Sequence, residues 1–279
     1  MLQTYRETRR RFFDHPAVRI EGASARAARN CRTPEALTPQ LQIVLTLRGA
    51  FVYERGSSQS LLTANHALFI AAGDVSRDRF VDDQPLDYML VTPQGDAVAT
   101  ILGDAAAAGL ARLGRETRVA GSSARLQRAA SALWNVCLRE RPDDAVEVEQ
   151  SVVELLTWLV HAAGIEQRER RTPATKLIGA AKELIGTARE PRSLTSLAAQ
   201  LDVSPAYLTD LFRRHEGVSI ARYQRRLRLS RALIELPDAE DIAALALDLG
   251  FSSHAHFSTA FRTTYGETPS TYRRRSRAR

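Results

Sequence analysis

The segment GFSSHAHFSTAFRTTYGETPSTYR, residues 250–273, repeats the pattern of an earlier segment, DVSPAYLTDLFRRHEGVSIARYQ, residues 202–224. Five aligned residue pairs share one offset of 49 positions: Ser204/Ser253, Leu208/Phe257, Phe212/Phe261, Gly217/Gly266 and Tyr223/Tyr272. Upstream the offset falls to 48, as in Ala198/Ala246, so the turn of the second copy has one extra residue. We therefore expect two copies of one helical unit.

The first copy contains the parts of a helix-turn-helix in order. Its scaffold helix has apolar residues at helical spacing: Leu194, Leu197, Ala198 and Leu201. Ser204 is a good N-cap and Pro205 a good first residue, because a proline there lacks an amide hydrogen that would be unpaired anyway. A recognition helix therefore begins here, and Gly217 favours its end.

The second copy follows the same plan. Its scaffold helix has the apolar residues Ile242, Ala243, Ala246 and Leu249. Gly250 ends that helix, and Ser252 or Ser253 caps the next one. Between the copies, residues 219–236 are predicted to form one helix, roughly 27 Å long at 1.5 Å per residue. This length suits two recognition helices about one DNA turn apart, roughly 34 Å.

Base contacts are expected from the outward positions of the two recognition helices. The candidates for reading bases are Ala206, Thr209, Asp210, Arg213, His254, Ala255, Ser258, Thr259 and Arg262. The candidates for phosphate contacts are Ser204, Arg214, Arg222, Arg225, Ser253, Arg273 and Arg274. Asp210 can accept a hydrogen bond from cytosine N4, although its charge opposes nearby phosphates.

The distribution of charge favours a DNA-binding role for the repeat. The alternatives are a helical bundle or a protein-binding pair of helical hairpins. The chain has 39 Lys+Arg and 32 Asp+Glu, a net charge of +7. From Arg171 onward there are 18 basic and 11 acidic residues, whereas residues 1–170 hold 21 of each. The excess positive charge therefore belongs to the repeat, as expected for a surface that binds phosphates.

Residues 175–279 resemble the DNA-binding domain of the AraC/XylS family of bacterial transcription regulators. The residues that carry this resemblance are Gly250, Phe251, Phe257, Phe261, Gly266, Pro269, Tyr272 and Arg273. Members often have arginine where this chain has Asp210 and Thr259. The resemblance implies a homodimeric, sequence-specific regulator that binds promoter DNA and works with RNA polymerase. Activation is the expected output because it is common in this family.

The N-terminal half has the pattern of a small β-domain. Short runs rich in β-branched and aromatic residues, separated by Gly, Asn and Pro, predict strands at 42–48, 50–54, 60–62, 67–71, 77–81 and 88–91. Their order resembles the cupin-like sensor barrel that precedes the repeat in many AraC relatives. We therefore expect an α+β multidomain chain, with a sensor barrel at 15–95 and an all-α double helix-turn-helix domain at 175–279.

A cupin-type enzyme fused to a DNA-binding domain is the alternative function. A metal-dependent cupin needs several histidines and a carboxylate, yet the barrel region offers only His66, with His15 upstream. We therefore expect no enzyme activity, metal or cofactor, and interpret His66 as a turn or strand-end residue. If the barrel binds a small effector, the polar pocket candidates are Arg48, Tyr53 and Arg77.

Two amphipathic helices are predicted within residues 96–165. Their apolar stripes are Leu126, Ala130, Leu133 and Cys137, and Val148, Val152, Leu155 and Leu159. The pattern leaves packing on the barrel and dimerisation equally open, whereas the family resemblance favours dimerisation. A charged linker is expected at 166–174.

The N-terminal arm, residues 1–14, has three interpretations: a frayed end, a phosphate contact, or a cover over the effector. Cys31 and Cys137 are interpreted as reduced and structural, with a redox-responsive regulator as the alternative. The sequence contains no signal peptide and no apolar run long enough for a membrane span, so a cytoplasmic protein is expected.

Overall fold

The computed structural model describes residues 5–94, 99, 103–138, 145–163, 173–188 and 190–278. Its strands are β1 (Arg6–His15), β2 (Val18–Arg26), β3 (Ala36–Leu37), β4 (Gln42–Arg48), β5 (Ala50–Arg55), β6 (Ser58–Thr63), β7 (His66–Ile70), β8 (Val75–Phe80), β9 (Leu86–Pro93) and β10 (Arg118–Gly121). They form a six-stranded sheet, β1-β2-β9-β4-β7-β10, and a four-stranded sheet, β3-β8-β5-β6. All six predicted strands are present.

The two sheets pack face to face, and the six-stranded sheet has a second core on its outer face. Val44 packs with Phe51 and Phe80 between the sheets. Ile43, one residue earlier on β4, packs on the opposite face with Leu126. Successive side chains of a strand point to opposite faces, so β4 contributes to both cores.

The described strands do not close into the expected barrel. β1 and β10 each pair with a single neighbour and form the edges of the six-stranded sheet. Helices cover the outer apolar face of this sheet, so its apolar side chains are buried without barrel closure. Because β10 pairs with β7, the β-rich part also extends beyond the expected boundary at residue 95.

Residues 6–14, expected as part of an arm, belong to strand β1. The strand pairs with β2 from Arg6 to His15. Phe12 packs edge-on against Trp134, with ring centroids 5.4 Å apart. Backbone pairing and this aromatic contact hold the segment, so the frayed-end interpretation is wrong for residues 6–14.

The described helices are α1 (Asp104–Leu113), α2 (Ala124–Leu138), α3 (Ala145–Ala163), α4 (Pro173–Gly186), α5 (Leu194–Gln200), α6 (Pro205–Glu216), α7 (Ile220–Glu235), α8 (Ile242–Asp248), α9 (His254–Tyr265) and α10 (Pro269–Ala278). The predicted stripes of α2 and α3 are buried in the outer core. Of the predicted linker, residues 166–172 lie outside the described residues, and Pro173 begins α4.

The two helix-turn-helix units are α5–α6 and α8–α9, and both recognition helices have the predicted caps. The Ser204 hydroxyl accepts a hydrogen bond from the Tyr207 amide, and Ser253 does the same for His256. Gly217 and Gly266 end these helices in the left-handed conformation. The caps satisfy amides that the first helical turn leaves unpaired.

The helical domain packs against the β-domain through buried polar contacts. Asn65 donates a hydrogen bond to the Tyr223 carbonyl at 3.3 Å, and the hydroxyls of Thr63 and Tyr223 are also 3.3 Å apart. The Tyr265 hydroxyl donates to Gln127 of α2 at 3.4 Å. Unpaired polar groups in such an interface would be costly, so these bonds specify one docking geometry.

A buried ionic cluster lies in this interface. Lys182 of α4 pairs with Glu216 of α6 at 3.0 Å, and His66 Nε2 lies 3.9 Å from the same carboxylate. The Thr63 amide donates to His66 Nδ1, so the neutral ring carries its proton on Nε2, facing Glu216. Burial, followed by the Lys182 charge, lowers the pKa of His66 to about 4. The pKa of Glu216 is lowered to about 2 because the neighbouring His66 ring and the Lys182 charge outweigh burial.

Replacing Gly250 with alanine should destabilise the second unit more than the same change at Gly266. Both glycines have positive φ, +75° and +83°. A Cβ at Gly250 would lie 2.8 Å from Pro191 Cδ, whereas one at Gly266 has nothing within 4 Å. We expect a loss of about 1 kcal/mol for Gly266→Ala and about 2 to 3 kcal/mol for Gly250→Ala, measured by urea unfolding. Equal losses of unfolding free energy in the two variants would mean that the Pro191 ring shifts at no energetic cost.

Acidification should weaken the packing around His66. Its pKa is lower in the folded chain than in the unfolded one, so its contribution is complete above pH 6.5 and lost as pH falls towards 4. The loss could reach about 3 kcal/mol. Urea unfolding between pH 7 and pH 4.5 should therefore show a steeper decline for the wild type than for His66→Gln. Parallel pH profiles would contradict this assignment.

Candidate nucleic-acid interface

The predicted base-reading positions form the surface of α6 and α9. Eight of the nine candidates are exposed and Ser258 is half-buried. The opposite faces are buried, with Leu208 and Phe212 on α6 and Phe257 and Phe261 on α9. Each recognition helix therefore has an apolar inner face and a polar outer face that a DNA groove can meet.

The outer face of α6 combines an ion pair with a further arginine. Asp210 and Arg214, one turn apart, form a salt bridge while both remain about two-thirds exposed, at 64% and 63%. The pair offsets the negative charge of Asp210, which reduces its conflict with phosphates. Arg213 is also exposed and is available for a major-groove guanine.

The outer face of α9 is richer in hydroxyl and imidazole groups. Ser258 Oγ lies 3.3 Å from His254 Nε2, and Ser252 Oγ lies 3.0 Å from His256 Nδ1. Arg262 is exposed one turn beyond Ser258. The two units therefore present different chemistry, so their half-sites are expected to differ in sequence.

The N-caps support the proposed phosphate role of Ser204 and Ser253. Each hydroxyl oxygen accepts an amide hydrogen bond, at 3.2 Å from Tyr207 and 3.1 Å from His256. Its own hydrogen remains able to donate to a phosphate oxygen. Helix N-termini also favour negative charge, so both caps can serve as phosphate contacts.

The arginines of the repeat divide into exposed and structural groups. Arg222, Arg225 and Arg274 are exposed. Arg273 instead donates to the carbonyls of Ala239 and Glu240, at 2.9 and 3.0 Å. It therefore joins α10 to the loop before α8, and its predicted phosphate role competes with these bonds.

Arg228 also has a structural position that the sequence pattern did not indicate. Its guanidinium donates to the Gly250 carbonyl at 2.6 Å and lies 4.4 Å from the centre of the Phe251 ring. These contacts attach the connecting helix α7 to the turn of the second unit. Arg228 therefore helps to set the orientation of α9 relative to α6.

Tyr207 is an exposed residue of α6 that the sequence analysis did not select. Its side chain is 48% exposed although it lies between Ala206 and the buried Leu208. The sequence does indicate this role, because an aromatic residue at an outward position of a recognition helix can contact a thymine methyl group.

The three predicted effector residues do not come together. Tyr53 and Arg77 line a cavity of about 350 Å³ between the two sheets, called here the between-sheet cavity. Arg48 lies elsewhere, paired with Asp87 at 2.6 Å and facing Glu235 of α7 at 3.9 Å. Arg48 therefore belongs to the contact between the two domains.

The two cysteines are buried in different cores. Cys31 packs between the sheets, and Cys137 packs on the outer face of the six-stranded sheet. Burial raises the pKa of Cys137 to about 12. A thiol in this state is a poor nucleophile, so the geometry favours the structural interpretation.

None of the helices that the structure describes combines the length and apolar character needed to cross a bilayer.

Comparisons with known proteins cover both halves of the chain. A family model described as a helix-turn-helix domain matches residues 197–275, and one described as an AraC-like ligand binding domain matches residues 18–156. The regulatory protein SoxS of Salmonella typhimurium is 36% identical over 87 residues, which are 31% of this chain and 81% of SoxS.

Two longer relatives align over more of this chain. The transcriptional activator RhaR of Mannheimia succiniciproducens is 23% identical over 239 residues, 84% of each chain. The transcriptional regulator GlxA of Rhizobium meliloti is 35% identical over 135 residues, 43% of this chain. This chain spans only 40% of the length of GlxA. With both domain types matched and the repeat signature present, the chain belongs to the AraC/XylS family of bacterial transcription regulators.

Proposed function

We propose that the protein is a sequence-specific transcription regulator that binds promoter DNA by inserting α6 and α9 into successive major-groove segments. The observation that carries this proposal is the pair of capped, polar-faced recognition helices on either side of α7. At 16 residues, α7 spans about 24 Å. Exposed arginines beside both helices supply the phosphate contacts.

The N-terminal domain is proposed to bind a small effector in the between-sheet cavity. Its volume, about 350 Å³, lies at the lower end of the range typical of ligand sites. Tyr53 and Arg77 line this cavity. We infer that the effector acts by binding one arrangement of the two domains more tightly than another.

We also propose that the protein is a cytoplasmic homodimer that contacts RNA polymerase and activates transcription. RhaR is named as an activator, which supports activation as the output. The inward stripes of α2 and α3 are occupied by intramolecular packing, so a dimer would use other faces of these helices. Val153, 42% exposed on α3, lies on such a face.

The cupin-enzyme alternative has weaker support. Its histidine candidate, His66, is buried against Thr63 and Glu216 in the domain interface, and His15 lies in the edge strand β1. A histidine buried in this position is poorly placed to bind a catalytic metal.

Selection of bound fragments from random DNA with the full chain tests the regulatory function. We expect an enriched motif of two unlike half-sites about 10 base pairs apart. The matched control is the double variant Thr209→Glu/Thr259→Glu, which places negative charge on both exposed faces without entering a core. It should enrich nothing. Absence of a motif from the wild-type selection, or the same motif from the control, would overturn the proposal.

Alanine substitutions should separate base-reading from phosphate-binding residues. Arg262→Ala and Thr209→Ala should each cost about 1 to 3 kcal/mol of DNA-binding free energy and relax preference at one base pair. Arg225→Ala should weaken binding to all sequences and reduce the salt slope by about 1. DNA titrations at several salt concentrations distinguish these results. A uniform loss for Arg262→Ala would reassign it to a phosphate contact.

A further inference from the structure

The between-sheet cavity is lined by aromatic rings from several strands. Tyr5 and Phe80 have ring centroids 5.7 Å apart, and Phe51 and Tyr88 have centroids 6.4 Å apart. Tyr53 adds a fifth ring. The faces of aromatic rings carry partial negative charge and attract cations.

The basic groups of this cavity already have acidic partners. Arg9 forms a salt bridge with Glu7, which also accepts a hydrogen bond from the Tyr88 hydroxyl at 2.7 Å. Arg77 pairs with Glu54 at 3.0 Å. These pairings leave the cavity with little free positive charge for an anionic ligand.

Asp78 is the acidic group of the cavity that these pairings do not compensate. No residue that the structure describes donates a hydrogen bond to its carboxylate, although its backbone amide donates to Thr33. Burial, followed by the charge of Glu7, raises the pKa of Asp78 to about 7. Among the described residues, the ionised form of this carboxylate therefore has no hydrogen-bond donor.

Tyr53 supplies a second unsatisfied group beside Asp78. Its side chain is only 4% exposed, and within the described residues its hydroxyl makes no hydrogen bond of good geometry. The two residues face each other directly across the β5–β8 ladder. A single polar group of a ligand can therefore reach both of them.

We propose that the between-sheet cavity binds a compact organic cation, an ammonium group on an aromatic or apolar body. The ammonium lies against the Asp78 carboxylate and the Tyr53 hydroxyl, and the body lies among the aromatic rings. This inference rests on the proposed effector-sensing function and gives the effector a chemical class.

Other ligand classes fit these groups less well. An anion would meet Glu7 and Asp78 while both nearby arginines are already paired. A neutral ligand of the same shape would leave the ionised form of Asp78 uncompensated. A cation compensates the carboxylate and gains attraction from the rings, so charge selects it over ligands of equal size.

Calorimetric titration of the full chain with 2-phenylethylamine, 2-phenylethanol and 3-phenylpropanoate tests the ligand class. We expect the amine to bind at least about 10-fold more tightly than the other two probes, a difference of about 1.4 kcal/mol. Asp78→Asn should weaken amine binding by a similar factor. Asp83→Asn, an acidic loop residue outside the cavity lining, is the matched control and should leave it unchanged.

The pH dependence provides an independent readout. Ionisation of Asp78 responds to Glu7 and Arg9 of β1 and to Glu54 of β5, with the Tyr53 and Tyr88 hydroxyls nearby. Amine affinity should rise between pH 6 and pH 8, because binding requires the ionised carboxylate. In Asp78→Asn this rise should disappear, and circular dichroism should show that the variant remains folded.

Failure of this inference can be distinguished from failure of the regulatory function. Absence of amine binding, tighter binding of 3-phenylpropanoate, or unchanged affinity in folded Asp78→Asn would overturn the cationic ligand. The same samples are tested against the selected DNA. If DNA binds and the amine does not, the ligand class alone is wrong. If no DNA binds, the regulatory function is wrong, whatever the calorimetry gives.

Discussion

Each recognition helix is held by one aromatic contact with the helix that follows it, and the proposed DNA surface depends on this contact. Phe212 of α6 packs edge-on against Tyr223 of α7, with ring centroids 5.3 Å apart. Phe261 of α9 packs in the same way against Tyr272 of α10, at 5.7 Å. These rings are buried, so the outer faces of both helices keep fixed directions. The two units therefore share the same aromatic packing as well as a similar sequence.

The same two tyrosines also connect the DNA-binding units to the N-terminal half. The Tyr223 hydroxyl lies 3.3 Å from that of Thr63 at the end of β6. The Tyr272 hydroxyl accepts a hydrogen bond from Asn135 of α2 at 3.1 Å. A change of shape in the β-domain or in α2 would therefore reach the helix that packs against each recognition helix. These contacts join the two domains, which gives the proposed effector a physical route to the proposed DNA surface.

Much of the structure of the helical domain could be predicted from local sequence rules, whereas less of the β-domain could. Ser204 and Pro205 mark the start of α6 through hydrogen bonds made within one turn, so sequence spacing was sufficient. Strand β1 was missed because its arginine-rich face is exposed and only Phe12 and Phe13 face the outer core. Arg48 was assigned to the effector site because strand alternation does not show which domain will cover a side chain.

Short-range pattern in the chain was enough to identify the two capped units, their outward residues, six strands and the family. The folded arrangement was needed to distinguish exposed arginines from structural ones, to join His66 with Glu216, and to show that Asp78 and Tyr53 share a cavity. The physical reason is separation along the chain. Caps and turns are satisfied by neighbours a few residues away, whereas burial and ion pairing depend on partners brought together from distant segments.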